Sequence, residues 1–435
     1  MHRILFTAAL IISTLTTTAC GGGGGSKNSP PTNSASSSSL SSASSVSSSS
    51  ISSQSSSSSS ESSSSTNSSN PYNVSVQSLK GLVDFPIGVA VSAGDETNSI
   101  LRNNDTGAKQ RAIIEQYFDE ITPGNIMKMS YLHPDENNFT HTHADNLVDY
   151  AHDHGLGVHA HALIWHSNYQ VPDWIKNFSS NNKAAWSAML KTHVQTIASY
   201  YAGRVRSWDV VNEAFMDNGE YRNNQPNGQG SIFYRNMGKD YIEEAFINAR
   251  EADPAADLYY NDFNISPGGA KLDAVLAMVD DFKGRDIPIP IDGIGFQMHV
   301  YLGWPSISNI HNSFQAVVER GLKVKITELD IPINNPYDGS YNYPNNYHAL
   351  FTPAHANQQK LRYCEIVKAY MEEVPDNLRG GITVWGVWDA DTWLNQVLFN
   401  NQHQDWPLLF DHNFNPKPAL QGVANGLTGE PCDAE

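Results

Sequence analysis

The chain has 435 residues, with 45 Asp plus Glu against 27 Lys plus Arg and a formal net charge of −18. That length exceeds one small domain and accommodates a large α/β barrel with extra segments. The acidic balance argues against nucleic acid and against anionic lipid as partners, since both attract clusters of Lys and Arg.

In chain order, the first segment is a targeting signal rather than part of a fold. His2 and Arg3 precede an apolar run from Ile4 to Ile12, and small residues lead on to Ala19-Cys20. The run is too short to span a bilayer, and residues 1–20 read as a secretory signal peptide. The ending Thr17-Thr18-Ala19-Cys20, followed by five glycines, resembles a bacterial lipoprotein cleavage site, although Thr17 stands where Leu is usual. That resemblance implies a lipid anchor on Cys20 and tethering to the outer membrane. An ordinary signal peptide cut nearby is the alternative.

Residues 21–75 are rich in Gly and Ser, and serine dominates residues 26–70. Such a segment buries too little apolar surface to offset its ordering entropy, so a flexible linker is expected. A tether of about 45 residues spans roughly 35–40 Å root-mean-square.

From about residue 80 short apolar runs alternate with helical patterns. The runs are Pro86–Ser92, Ile121–Lys128, Gly157–His166, Arg206–Glu213, Leu258–Ile265, Gly293–Val300, Lys323–Asp330 and Gly381–Asp389. Each reads as a strand buried on both faces. The helices between them are expected at Asp145–His154, Lys183–Ala202, Tyr241–Ala252, Leu272–Lys283, His311–Arg320 and Gln358–Glu373, several of them closed by Gly or Pro. Eight strands alternating with helices predict a single (β/α)8 TIM barrel over residues 76–430. An open doubly wound sheet would carry a glycine-rich phosphate loop after its first strand, and Pro86–Ser92 is followed by none. Cys364 and Cys432 remain in the barrel. Export permits a disulfide between them, but sequence alone does not decide it.

In such barrels the chemistry sits at the carboxyl ends of the strands. Glu213 and Glu328 both fall there, in the segments Ser207–Phe215 and Val324–Ile331. Two facing carboxyl groups are what glycosidic hydrolysis uses. Asn, Gln, His and Lys gather with Trp at the other strand ends, as suits a sugar site where aromatic faces stack on rings and polar groups hold hydroxyls. His159, His161 and His166 invite a metal reading. Alternation along a strand places His159 and His161 on one face and His166 on the other, so no metal site is expected.

Together these stretches resemble glycoside hydrolase family 10, the retaining endo-β-1,4-xylanases, over roughly residues 80–425. The resemblance rests on Gly124 to Lys128, His161 to His166, Trp208 to Phe215, Tyr259 to Asn264, Gln297-Met298-His299, Ile326 to Asp330, Trp385 to Trp388, Leu409-Phe410-Asp411 and Lys417-Pro418-Ala419. It implies that Glu213 is the general acid/base and Glu328 the nucleophile, the two carboxyl groups lying about 5–5.5 Å apart. Glu213 must then hold its proton near neutral pH, through burial and a negative neighbour. The resemblance makes His299 the residue that orients the nucleophile and Asn212 the partner of the sugar 2-hydroxyl. It makes Asn125, Lys128, His161 and Trp165 contacts to the glycone sugars. Gln297 would line the reaction centre, and Trp385 and Trp393 would form a hydrophobic wall. Asp330 is expected behind the reacting groups.

Three positions depart from the family pattern. Gly124 stands where the family carries a Glu that bonds a glycone sugar, which implies weak glycone binding and poor activity on short xylo-oligosaccharides. Leu394 follows Trp393 where Arg is frequent, and Ile265-Ser266 follows Asn264 where an acidic residue is common; both changes are expected to alter the cleft. Tyr337, Tyr341, Tyr343, Tyr347 and Trp304 lie in long loops, either as stacking platforms on the aglycone side or as self-packed surface. The function expected is an endo-1,4-β-xylanase, monomeric and free of cofactor, acting on xylan and xylo-oligosaccharides. An endo-β-1,4-glucanase on the same barrel type is the alternative.

Overall fold

The computed structural model describes residues 71–223, 230–335, 339–340, 343–344, 347–397 and 403–433. The signal peptide, Cys20 and residues 21–70 of the expected linker lie outside the described residues, as do Tyr337 and Tyr341, whereas Val74 packs against the core and Ser75 donates to Gln421 at 3.1 Å.

Eight parallel strands form a closed barrel. They are β1 (Ile87–Val91), β2 (Glu120–Pro123), β3 (Gly157–Trp165), β4 (Ser207–Asn212), β5 (Asp257–Asp262), β6 (Gly293–Phe296), β7 (Lys323–Leu329) and β8 (Arg379–Val384). Each pairs with its successor, and β8 closes on β1 through Ile87 opposite Ile382. A helix follows every strand: α1 (Asp105–Tyr117), α2 (Thr142–Asp153), α3 (Lys183–Tyr201), α4 (Asp240–Ala252), α5 (Ala270–Lys283), α6 (Ile307–Val318), α7 (Pro353–Glu373) and α8 (Pro418–Thr428). This is the expected (β/α)8 barrel.

Several strands are shorter than their apolar runs. β2 stops at Pro123, β6 at Phe296 and β8 at Val384. The residues beyond them leave the ladder: Asn125, Lys128, Gln297, His299 and Trp385 join the polar group at the barrel end, while Ile126, Met127, Met298 and Val387 stay in the apolar core. Burial alone does not distinguish a ladder residue from a buried loop residue, so the runs overshoot.

The sequence reading missed α1 and α8, for different reasons. In α1 the hydrophobic buried positions are Ile113, Ile114 and Tyr117, beside Gly107 and Gln110, so the apolar stripe is short. Its start is fixed by Asn104, whose side chain accepts from Gly107 N at 2.7 Å. α8 contains two glycines, which weaken a helix by about 1 kcal/mol each. Tertiary packing explains both. A Cβ on Gly422 would stand 2.2 Å from the Lys360 carbonyl oxygen, and one on Gly426 would stand 2.8 Å from that of Cys364. Only glycine lets α8 lie this close to the α7 backbone. The Cys364–Cys432 disulfide, with Cα atoms 5.5 Å apart, joins the chain beyond α8 to α7 and decides the pairing that sequence left open.

The barrel interior is polar. Inward positions on neighbouring strands bond to one another: His159 to Ser207 at 2.7 Å, His161 to Asp209 at 2.8 Å and Thr327 to Asn261 at 2.6 Å. Across the base, Lys325 pairs with Glu120 at 2.5 Å, and both are 1% exposed or less. A buried charge is costly without such a partner. The intervening Ile121, Val158, Val210, Leu258, Val324 and Ile382 join the apolar core between sheet and helices.

The disulfide closes a sequence separation of 68 residues. Cys432→Ser should therefore lower the unfolding free energy by roughly 4 kcal/mol in the chain-entropy account, measured by urea denaturation. A loss under about 1 kcal/mol would mean that α7–α8 packing holds the chain end unaided.

Candidate active site

Glu328 lies near the end of β7 and is 5% exposed. Its Oε1 accepts from Asn261 Nδ2 at 2.8 Å, and its Oε2 lies 3.2 Å from His299 Nε2. The other ring nitrogen of His299 is 3.0 Å from Asp330 Oδ2, an oxygen that also accepts from Trp393 Nε1 at 2.7 Å. Burial opposes charge on His299, but Asp330 and then Glu328 outweigh it, and the imidazole pKa rises to about 10. The ring is an imidazolium at neutral pH, with both nitrogens donating. Asp330 and Trp393 thus fix His299, and His299 with Asn261 fixes the Glu328 carboxylate.

Glu213 follows β4 directly with φ of 57°, in the left-handed region. A residue with a Cβ pays about 1–2 kcal/mol there. Two backbone contacts hold it. Arg222 Nε donates to the Glu213 carbonyl at 2.9 Å, and Glu213 N donates to the Asn261 carbonyl at 2.9 Å. The conformation turns the side chain inward, where Oε1 accepts from Gln297 Nε2 at 3.0 Å and from Asn212 Nδ2 at 3.3 Å. Behind it Asp262 is fully buried, bonded to Tyr260 OH at 2.5 Å and Lys271 Nζ at 2.7 Å. Burial raises the Asp262 pKa to about 6, against the pull of Lys271 and with a further push from Glu213.

Asn261 joins the two halves. Thr327 donates to its Oδ1, and its Nδ2 donates both to Glu328 and to Asn212 Oδ1, the latter at 3.0 Å. The opposite Asn212 amide orientation would let its oxygen accept from Trp165 Nε1 at 3.2 Å but would set its nitrogen against Asn261 Nδ2 at 3.0 Å. Thr327 and Glu328 fix Asn261 as the donor, so the first orientation holds. The two glutamates are therefore linked through two amides.

One wall collects most of the remaining expected residues. His161 Nδ1 is anchored on Asp209. Burial works against that carboxylate, but His159 and His161 outweigh it and hold it far below the usual range. Trp385 meets His161 edge-on at 5.6 Å and His299 at 6.3 Å. Lys128 is 5% exposed, donates to Asn125 Oδ1 at 3.1 Å and lies 4.8 Å from the Trp165 ring centre. Burial lowers its pKa to about 8, with Glu328, Glu213 and Glu96 opposing.

The structure brings Glu213, Glu328, His299, Asn212, Gln297 and Trp393 into one hydrogen-bonded group, with Asn125, Lys128, His161, Trp165 and Trp385 beside it. His159 and His161 share Asp209, whereas His166 sits near Arg222 and Lys271. Strict alternation fails along β3, whose register against β4 shifts between His161 and Ile164. Leu394 is 2% exposed and Ile265 1%, the latter in the apolar core. Tyr347 bonds the Gln404 carbonyl, and Trp304 stacks on Tyr301 at 5.3 Å.

Sequence reasoning missed Glu96, Asp209, Arg222 and Tyr169. Asp209 was legible as the inward residue opposite His161. Tyr169 is 52% exposed and meets Trp165 edge-on at 5.4 Å. Glu96 and Arg222 sit in polar loops with no periodicity to mark them.

The Lys128 ammonium should titrate near pH 8 in a lysine-selective NMR experiment. Glu328→Gln removes a charge that favours the ammonium, so it should move that midpoint lower. A midpoint near that of free lysine would contradict the burial argument.

Comparison with known proteins matches this architecture. Residues 79–426 fit the family model for glycosyl hydrolase family 10. An endo-beta-1,4-xylanase, Xyn10C, of Cellvibrio japonicus is 48% identical over 373 residues, 83% of this chain and 59% of that protein. Endo-1,4-beta-xylanase A of Cellvibrio japonicus is 46% identical over 364 residues, 81% of this chain and 56% of the relative. The chain thus spans under two thirds of the length of these curated relatives. The native xylanase 10C structure from Cellvibrio japonicus superposes with TM-score 0.77 at 47% identity, covering 83% of this chain and 74% of that one. A mutant of the same xylanase in complex with xylopentaose gives TM-score 0.77 at 46% identity, covering 83% and 71%. With four fifths of its length on the family model, and its two glutamates at the ends of β4 and β7 of the barrel, this chain belongs to glycosyl hydrolase family 10.

Proposed function

We propose that the chain is an endo-1,4-β-xylanase that hydrolyses internal xylosidic bonds with retention. One observation carries the reading: Glu213 and Glu328 reach one site from separate strands, joined through Asn212 and Asn261 yet held by different partners. Glu328, fixed by an amide and an imidazolium, attacks the anomeric carbon. Glu213 gives its proton to the leaving oxygen, and then takes one from the water that releases the glycosyl-enzyme. Asn212 donates from its Nδ2 toward the same space, suited to the sugar 2-hydroxyl. Asn125, Lys128, His161, Trp165 and Trp385 form the glycone wall. The xylanase names and the xylopentaose complex of the relatives support xylan and xylo-oligosaccharides as substrates.

We propose further that the protein is exported, with Cys20 as a lipid anchor, and acts as a monomer at the cell surface. The pattern of residues 1–20 supports export, and so does the Cys364–Cys432 disulfide, a bond that persists in oxidising compartments.

Digestion of xylan and of carboxymethylcellulose tests the activity. Xylan should be the preferred polymer, and Glu213→Ala should lose about 10²–10⁴-fold in rate, the range for general acid/base catalysis. Glu328→Ala should lose at least as much. Undiminished activity in either variant, or preference for the cellulose derivative, would overturn the reading.

Gly124 gives a finer test. A Cβ there would find the Val91 carbonyl oxygen at 3.4 Å as its nearest neighbour, an ordinary contact. Gly124→Glu should fold and raise kcat/KM on short xylo-oligosaccharides about tenfold or more, as a charge-assisted hydrogen bond allows. No gain would mean that glycone binding is not limited at this position.

A further inference from the structure

The loop after β1 brings a carboxylate to the glycone wall that no family motif in this chain marks. Glu96 is partly exposed and is held at both oxygens. Its Oε2 accepts from Ala93 N at 2.9 Å, while Glu96 N returns a bond to the Ala93 carbonyl at 3.3 Å. Its Oε1 accepts from Asn125 Nδ2 at 2.6 Å. Asn125 Oδ1 then accepts from Lys128, which lies over Trp165. The Lys128 ammonium lies within electrostatic reach of Glu328, Glu213 and Glu96. From the segment after β8, Asp391 accepts at 2.5 Å from Nδ2 of Asn98, two residues from Glu96.

We infer that Glu96 is a specificity-determining residue, which accepts hydroxyl hydrogens of the neutral sugar bound beside Asn125 and Lys128 on the glycone side. The inference rests on the xylanase reading and adds to it. An ionised carboxylate offers about four acceptor sites. Two are used within the protein, and the rest stand on a partly exposed group next to Asn125. Because Ala93 and Asn125 already fix its geometry, little side-chain freedom is lost when a sugar arrives. Neighbouring hydroxyls of a xylose ring present two donors at the spacing of the two carboxylate oxygens. The contact is distant from the bond being cleaved, so its energy counts most for substrates too short to engage other subsites.

Kinetics on xylotetraose and on polymeric xylan test this, using the full chain and the variants Glu96→Ala and Glu96→Gln. The wild type must cleave both substrates; if it does not, the xylanase reading itself fails. Given that activity, Glu96→Ala should lower kcat/KM on xylotetraose about tenfold or more, chiefly through KM, and by at least three times the factor seen on xylan. Glu96→Gln, which keeps the shape but not the charge, should fall between wild type and Ala. A thermal melt confirms that each variant is folded. An equal loss on both substrates would mean that Glu96 only braces the loop. That result, or a change under twofold on xylotetraose, would overturn the inference.

Discussion

Asn261 stands one residue before the end of β5 with its amide in full use. Its oxygen accepts from Thr327, and its nitrogen donates to Glu328 and to Asn212, while its backbone carbonyl accepts from Glu213 N. β4, β5 and β7 are therefore tied at the height of the reacting groups. If this amide moved, Glu328 would lose a donor, and so would Asn212, which holds Glu213. Buried amides are costly unless satisfied, and here that cost enforces alignment of the site.

The polar interior of the barrel follows the same rule. Lys325 with Glu120 at the base, His159 with Ser207 above, then His161 with Asp209, form successive bonded pairs toward the carboxyl end of the barrel. An apolar interior packs well but orients nothing. Hydrogen-bonded neighbours fix ring planes, as Asp209 does for His161 and Asp330 for His299. The same logic operates behind Glu213, where Asp262, Tyr260 and Lys271 satisfy one another, and Tyr260 OH accepts from Ala214 N.

Charge is distributed unevenly between the two glutamates. Glu328 faces an imidazolium held by a second carboxylate, whereas Glu213 faces the amides of Gln297 and Asn212 and has Asp262 behind it. The two carboxyls thus sit among different hydrogen-bond partners, although the Lys128 ammonium feels the charge of both.

The sequence by itself determined the barrel, because burial on both faces of each strand and amphipathic helices between them leave a local periodic mark. It also determined the two glutamates and most of their neighbours, since strand ends are where a barrel exposes side chains. The tertiary structure alone decided what has no periodicity: the glycines that let α8 close on α7, the Cys364–Cys432 pairing, the burial of Leu394 and Ile265, and the arrival of Glu96 and Arg222 from irregular loops. Those depend on approaches between residues distant in sequence, and only the packed chain brings them within reach.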